Sequence, residues 1–74
     1  MQSLTQNQLD EMFRYHAPHG DQVERYQKIN DAAKAFAQAI LDNCPGSADT
    51  THAIRVVRDA RMWANAAIAL EGKI

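Results

Sequence analysis

Apolar residues recur at helical spacing along most of the chain and predict three helices and no strands. Between residues 21 and 43 they follow one another at steps of three and four, which is the spacing of one helical face. This apolar stripe consists of Val23, Tyr26, Ile29, Ala33, Phe36, Ala37, Ile40 and Leu41. Breaks at Pro18-x-Gly20 and at Pro45-Gly46 separate the segments. We therefore predict helices over about 3–13, 21–43 and 47–71.

The third segment carries an apolar face wider than one antiparallel neighbour can cover. Its main stripe consists of Ala53, Val56, Val57, Ala60, Trp63, Ala64, Ala67 and Leu70. Ile54 and Ile68 widen the stripe at one edge. The excess indicates an oligomer interface, although scattered apolar residues are also common on protein surfaces.

The predicted fold is all-α, with a short N-terminal helix and a long antiparallel helical hairpin, assembled as a homo-oligomer. The first helix would fold across the hairpin or reach to a neighbouring chain. Residues 1–74 are expected to form a single oligomerising domain, because a chain this short buries little surface by itself.

Local residue types predict where the helices begin and end. Asp21 followed by Glu24 is an Asp-led variant of the capping box at the start of the second helix. Cys44 precedes a proline and should lie at or past the end of that helix, as a small buried hydrophobe. Ser47 is the expected N-cap of the third helix, and Gly72 its terminator.

Composition restricts the class of protein. The formal net charge of -1 argues against a general nucleic-acid or membrane-surface binder, but a small anionic ligand needs only a few local cations. Cys44 is the only cysteine, so a disulfide within the chain is excluded and a reducing cytosol is expected. The first residues do not resemble a signal peptide, and no apolar run is long enough to span a bilayer.

No motif for catalysis or metal binding is present in the sequence. Nucleophile elbows, phosphate-binding glycine loops and His-Glu-x-x-His are all lacking, so we expect no catalytic residues and no cofactor. His16 and His19 have a spacing that could serve one metal ion, but no third ligand is near in sequence. We expect no metal, and a surface turn at these two histidines.

The segment Phe13-Arg14-Tyr15-His16 places two aromatic rings, a guanidinium and an imidazole before a turn. Aromatic rings stack on nucleobases, and arginine binds phosphate in a bidentate manner. The alternative is that Phe13 and Tyr15 are packing residues and Arg14 is solvated. From the residues alone the two interpretations have equal weight.

Two further groups of residues could supply positive charge to a ligand. Asn30 and Lys34 lie four residues apart and share one face of the second helix, and Lys28 lies one turn before the small side chains Ala32, Ala35 and Ala39. Ordinary surface lysines are the favoured alternative. Arg55, Arg58 and Arg61 step by three along the third helix, but Asp49 and Asp59 dilute this ridge. A solvated face or inter-chain salt bridges are the better interpretation of the ridge.

Several separated motifs resemble the phage proteins that act as sponges for cyclic oligonucleotides and counter CBASS, the bacterial cyclic-oligonucleotide-based antiphage signalling system. The resemblance covers about residues 13–69, and its most specific piece is near the C-terminus. The motifs are Phe13-Arg14-Tyr15-His16-x-Pro18, Gln22-Val23-x-Arg25, Ala32-Ala33-Lys34-x-Phe36-Ala37, Asn43-Cys44-Pro45-x-Ser47 and Met62-Trp63-Ala64-Asn65-Ala66-x-Ile68-Ala69.

The resemblance implies a helical homohexamer, a trimer of dimers, that holds cyclic dinucleotides such as cyclic GMP-AMP between protomers. Some members also hold cyclic trinucleotides. Such proteins sequester the ligand in the cytoplasm of the infected bacterium and do not cleave it. A two-fold interface offers each base and each phosphate the same residue twice, so a chain of net charge -1 can bind a dianion.

Carried over to this sequence, the resemblance assigns ligand contacts to Arg14, Tyr15, His16, Lys28, Asn30 and Lys34. Tyr15 is expected to stack on a base. Asn30 stands where a cation is expected, which leaves Lys28 or Lys34 to contact phosphate. Leu70 stands where an arginine is expected, and this departure argues against a trinucleotide pocket. A helical assembly protein without a nucleotide ligand is the main alternative. A small DNA-binding regulator is disfavoured, because the sequence has a nearly neutral charge and no basic recognition helix.

Overall fold

The computed structural model of the chain describes residues 3–73, which form three α-helices and no strand. Helix α1 spans Gln6–Phe13, α2 spans Gln22–Asn43 and α3 spans Ala48–Leu70. Helices α2 and α3 pack against each other as a long hairpin. The predicted all-helical fold, with a short first helix before a helical hairpin, is confirmed.

Helix α1 begins later than predicted because a capping box fixes its first turn. The hydroxyl of Thr5 accepts a hydrogen bond from the amide of Gln8 at 3.1 Å. The side-chain oxygen of Gln8 accepts one from the amide of Thr5 at 2.9 Å. This reciprocal pair makes Thr5 the N-cap, so Ser3 and Leu4 lie outside the helix.

The predicted capping box at Asp21 is wrong. Asp21 occupies the N-cap position of α2, but its side chain accepts no capping hydrogen bond. Its carboxylate lies 3.2 Å from Nε of Arg25, one turn further along the helix. The side-chain oxygen of Gln22 instead accepts from the amide of His19 at 3.1 Å and orders the entry to the helix.

A short turn joins α2 to α3. Cys44 is the C-cap of α2, and its amide donates to the carbonyl of Ile40 at 3.0 Å. Ser47 caps α3 as predicted, because its hydroxyl accepts from the amide of Thr50 at 3.2 Å. The prediction that Cys44 is buried is wrong, since the turn lies at the tip of the hairpin and Cys44 is exposed there.

Helix α3 ends at Leu70, and the next two residues, Glu71 and Gly72, have positive φ angles. Glu71 has φ 49° and donates its amide to the carbonyl of Ala67 at 3.0 Å. Gly72 follows with φ 77°, a conformation that glycine adopts without steric cost. The chain therefore turns away one residue before the predicted end, and Gly72 contributes to the stop.

The seam between α2 and α3 is shifted from the predicted stripe on α3. The half-buried residues along the middle of this helix include Ile54, Val57, Arg61, Ala64 and Ile68. Ile54 and Ile68, predicted at the edge, belong to this set. Residues predicted in the main stripe are exposed instead, among them Val56, Ala60 and Trp63.

One chain by itself does not enclose a core. No apolar side chain among residues 3–73 is buried, and Trp63 and Phe36 are 77% and 60% exposed. The accessible surface is 5976 Å², against about 4,600 Å² for a compact chain of this size. The radius of gyration is 15.7 Å, against about 11 Å for a compact domain. Much apolar surface is thus left without a partner within the chain.

Candidate ligand-binding site

The segment after α1 and the end of α3 together line a pocket of about 180 Å³, here called the terminal pocket. Its lining residues are Arg14, Tyr15, His16, Ala17, His19, Ala69, Glu71 and Lys73. Tyr15 is 82% exposed, so a planar ligand can reach its ring. The structure therefore brings three of the predicted site residues to one place.

Glu11 organises one wall of the terminal pocket. Nη2 of Arg14 donates to both carboxylate oxygens of Glu11 at 2.9 Å, and Nζ of Lys73 lies 3.7 Å from one of them. The hydrogen bond from Arg14, with its positive charge, holds the pKa of Glu11 below its ordinary value. Nε2 of His16 lies 2.7 Å from the carbonyl oxygen of Glu11, a distance at which it donates. These contacts hold the side chains of Arg14 and His16, the two sequence neighbours of Tyr15, against Glu11.

A second hydrogen-bond network, centred on Gln22, holds the end of α3 next to the terminal pocket. The side-chain nitrogen Nε2 of Gln22 donates to the backbone carbonyl of Ile68 at 3.0 Å and to the carboxylate of Glu71 at 2.9 Å. Gln22 is 1% exposed, and Arg25 pairs with the same carboxylate. The hydrogen bond from Gln22, followed by that from Arg25, holds the pKa of Glu71 below its ordinary value. The network ties the first turn of α2 to the last turn of α3.

Sequence reasoning missed the role of Gln22. Gln22 and Arg25 belong to one of the motifs quoted above, but their residue types alone do not reveal that they meet Glu71, which lies 49 and 46 positions away. A polar residue at the first position of a helix is ordinarily exposed. Its burial here depends on how α3 ends.

A second cleft of about 230 Å³, here called the hairpin groove, lies between the middle parts of α2 and α3. Its polar residues are Asn30, Lys34, Arg58 and Arg61. Its apolar residues are Ala33, Ala37, Ile54 and Val57. Nη1 of Arg61 donates to Oδ1 of Asn30 at 3.3 Å across the groove. The predicted shared face of Asn30 and Lys34 is confirmed.

The predicted site residues are thus divided within one chain. Arg14, Tyr15 and His16 line the terminal pocket, and Asn30 and Lys34 line the hairpin groove. Lys28 lines neither cleft. Its ammonium lies 4.0 Å from the carboxylate of Glu24, and both side chains are largely exposed. The assignment of ligand contacts to these residues stays a prediction.

Two of the three arginines interpreted as a solvated ridge line the hairpin groove. Arg58 and Arg61 face Asn30 and Lys34 there, whereas Arg55 lines a different hollow near the start of α3 together with Asp49 and His52. The spacing of three predicted a shared side of α3 but not the residues of α2 opposite to it. That pairing depends on the register of the hairpin.

On the other side of the seam lies an apolar hollow of about 370 Å³. We call its surface the apolar face, and its outer residues are Ile29, Ala32, Phe36, Val56, Ala60 and Ala64. Ala33, Val57 and Arg61 line both this hollow and the hairpin groove, so they mark the seam between them. The hairpin therefore has a charged side and an apolar side.

The described residues provide neither a cluster of metal ligands nor a helix suited to cross a membrane. Within residues 3–73, no group of three or more His, Cys, Asp or Glu side chains is placed to hold a metal ion. In the same range, no helix combines the length and apolar character needed to cross a bilayer.

Comparison with known proteins identifies a family. A family model described as the Acb2/Tad1 hairpin domain matches residues 5–69, which include α1, α2 and nearly all of α3. No curated protein and no solved structure matches the chain. Because the match spans most of the sequence, the chain belongs to the Acb2/Tad1 hairpin-domain family, the anti-CBASS cyclic-oligonucleotide sponges.

Proposed function

We propose that this protein is a phage-encoded sponge that binds cyclic dinucleotides, such as cyclic GMP-AMP, and sequesters them from a host antiphage signalling system. Cyclic trinucleotides are a second ligand class in the proposal. The family match over residues 5–69 is the observation that carries it. The family consists of sponge-type binding proteins for cyclic oligonucleotides.

The chemistry of the terminal pocket supports nucleotide binding. The largely exposed ring of Tyr15 offers a stacking surface to a base. Arg14 and His16 flank it with groups that can donate to phosphate or base oxygens. Arg14 is already paired with Glu11, so a ligand phosphate would share or replace that partner.

A homo-oligomer, in our proposal a hexamer built as a trimer of dimers, would complete the site. Tyr15 and the pair Asn30 and Lys34 line separate clefts of one chain, so a ligand that contacts both sets would lie between chains. A two-fold interface presents each residue twice, which matches the two bases and two phosphates of a cyclic dinucleotide. The apolar face of the hairpin supplies surface that such an assembly can cover.

The proposed activity is binding without turnover, in the cytoplasm of the infected bacterium. Sequestration requires slow release and an intact phosphodiester ring, and no residue is assigned a role in bond cleavage. A ligand held this way cannot activate the host effector. The proposal includes no metal and no cofactor.

The alternative is a helical assembly protein with no nucleotide ligand, and the uncovered apolar face favours it as an observation of its own. The two functions differ in their response to ligand. Cyclic GMP-AMP at 100 times its dissociation constant should stabilise a sponge by about 2.7 kcal/mol. In a thermal melt at fixed protein concentration, a sponge shifts to higher temperature. An assembly protein melts at the same temperature with and without the ligand.

A further inference from the structure

The hairpin groove concentrates positive charge in a protein whose net charge is -1. Lys34, Arg58 and Arg61 all line it, and within residues 3–73 none of the three forms an ion pair with a carboxylate. By contrast, Arg14 and Lys73, which line the terminal pocket, both lie within ion-pair distance of the carboxylate of Glu11. Three cations without a counter-charge repel one another unless an anion lies between them.

We propose that Arg58 and Arg61, together with Lys34, bind a phosphate group in the hairpin groove, so that α3 supplies the principal phosphate-binding cations of this protein. The inference rests on the proposed function, because the phosphate we assign to the groove is the phosphodiester of a cyclic dinucleotide. It gives a role to two arginines that neither the sequence nor the family match assigns.

The hydrogen bond from Arg61 to Asn30 orients the guanidinium group of Arg61. Oδ1 of Asn30 accepts one hydrogen bond from Nη1 of Arg61 at 3.3 Å, and Arg61 is half-buried at the seam. This single long contact leaves most of the guanidinium donors available to a ligand. Asn30 is neutral, so it holds the guanidinium in place without neutralising it. The side-chain amide of Asn30 can itself donate to a phosphate oxygen.

The remaining walls of the groove strengthen such an interaction. Ala33, Ala37, Ile54 and Val57 are half-buried and apolar, and they surround the charged groups with a low-dielectric surface. Charge–phosphate attraction is larger beside such a surface than in open water. The small side chains of Ala33 and Ala37 also leave room for a ribose or base next to the phosphate.

The test is calorimetric titration with cyclic GMP-AMP of the wild type, Arg58→Gln, Arg61→Gln and Arg55→Gln. Arg55 is the matched control, because it is an exposed arginine on the same helix and lies outside the groove. All three variants remove one positive charge from α3. The groove variants should weaken binding by about tenfold or more each, since a charged hydrogen bond to phosphate is lost. The control should bind within about twofold of the wild type.

Size-exclusion chromatography of each variant shows whether the assembly is kept. Arg61 is half-buried at the seam, so if Arg61→Gln changes the assembly, the exposed Arg58 provides the deciding variant, Arg58→Gln. Repeating the titrations in about 1 M salt should shrink the difference between Arg58→Gln and the wild type, because surface charges are then screened within about 3 Å. If the wild type binds and the groove variants bind like Arg55→Gln, the groove is not a phosphate site and this inference fails alone. If the wild type does not bind, the proposed function fails with it.

Discussion

The side-chain amide of Gln22 donates a hydrogen bond of 3.0 Å to the backbone carbonyl of Ile68, joining the first turn of α2 to the last turn of α3. The same nitrogen donates to Glu71 at 2.9 Å, and the side-chain oxygen accepts from the amide of His19. Gln22 is 1% exposed. One residue therefore fixes the end of the hairpin where the terminal pocket lies.

We expect Gln22→Met to destabilise the protein by about 1–3 kcal/mol, because the amide of His19 loses its side-chain acceptor and the carbonyl of Ile68 keeps only the 3.3 Å hydrogen bond from the amide of Glu71. The measurement is urea unfolding at fixed protein concentration. Gln27→Met is the control, since Gln27 is exposed on the same helix and bonds only to Asp31 among residues 3–73. Equal unfolding midpoints for the two variants would show that the Gln22 network does not hold the hairpin end.

The pKa of Glu71 is held low by Gln22 and Arg25, and this sets the direction of a pH dependence. A carboxyl group whose pKa is lower in the folded than in the unfolded state stabilises the protein above its unfolded pKa. That stabilisation is lost as pH falls through the folded pKa. We therefore expect the melting temperature to fall on acidification below about pH 4.5, the region where glutamate titrates in unfolded chains.

Glu71→Gln should flatten this acid dependence, because the titrating group is removed. Glu24→Gln removes an exposed carboxylate that lies 4.0 Å from Lys28 and serves as the control. Thermal melts from about pH 6 to about pH 3 measure both. A Glu71→Gln profile as steep as that of the control would contradict the role given to this carboxylate.

Tyr15→Ala should weaken the binding of cyclic GMP-AMP strongly, because it removes the stacking surface. Base stacking on an aromatic ring contributes about 1–3 kcal/mol per base, and a two-fold site uses two copies of Tyr15. The loss corresponds to at least about thirtyfold in affinity. Tyr15→Phe should bind nearly as the wild type, because stacking needs the ring and not the hydroxyl.

Calorimetric titration of both variants checks this expectation, with size-exclusion chromatography as the control for assembly. Wild-type affinity in Tyr15→Ala would exclude the stacking role. Dissociation of the oligomer by the same substitution would instead identify Tyr15 as a packing residue.

The apolar face predicts that the proposed oligomer is sensitive to a charge placed on it. Phe36→Asp places a charge on this face at a side chain that is 60% exposed in one chain, and we expect it to dissociate the assembly because a buried unpaired charge is costly. Gln38→Asp introduces the same charge two residues away and should leave the assembly intact. Light scattering measures the mass of each. A stable wild-type monomer at micromolar concentration would contradict the oligomer itself.

The periodicity of apolar residues was sufficient to predict the three helices and the hairpin, because helical spacing is a local property. Ser47 was also predictable, since an N-cap depends on the next three residues. Asp21 was not, because its carboxylate had a competing partner in Arg25, and the capping pattern does not include that residue. Local patterns thus predicted elements and failed where side chains had a choice of partners.

The candidate site was predictable only in part. The residue types left Tyr15 open between a stacking and a packing role, and the structure shows that it is 82% exposed within one chain. The grouping of Arg58 and Arg61 with Asn30 and Lys34 could not be predicted, because it requires the register of α2 on α3. The predicted stripe of α3 was rotated from the true seam because the apolar face is wider than the contact with α2, and periodicity alone does not show which part of a wide face lies at the seam.

A protein that acts as a sponge binds a cyclic dinucleotide and releases it unchanged on denaturation. The most direct measurement incubates the protein with cyclic GMP-AMP, removes free ligand by size exclusion, denatures the complex by heat and analyses the released nucleotide by chromatography. We expect the ligand to co-elute with the protein and to be recovered intact. Recovery of a linear product, or no ligand in the protein fraction at concentrations well above micromolar, would contradict it.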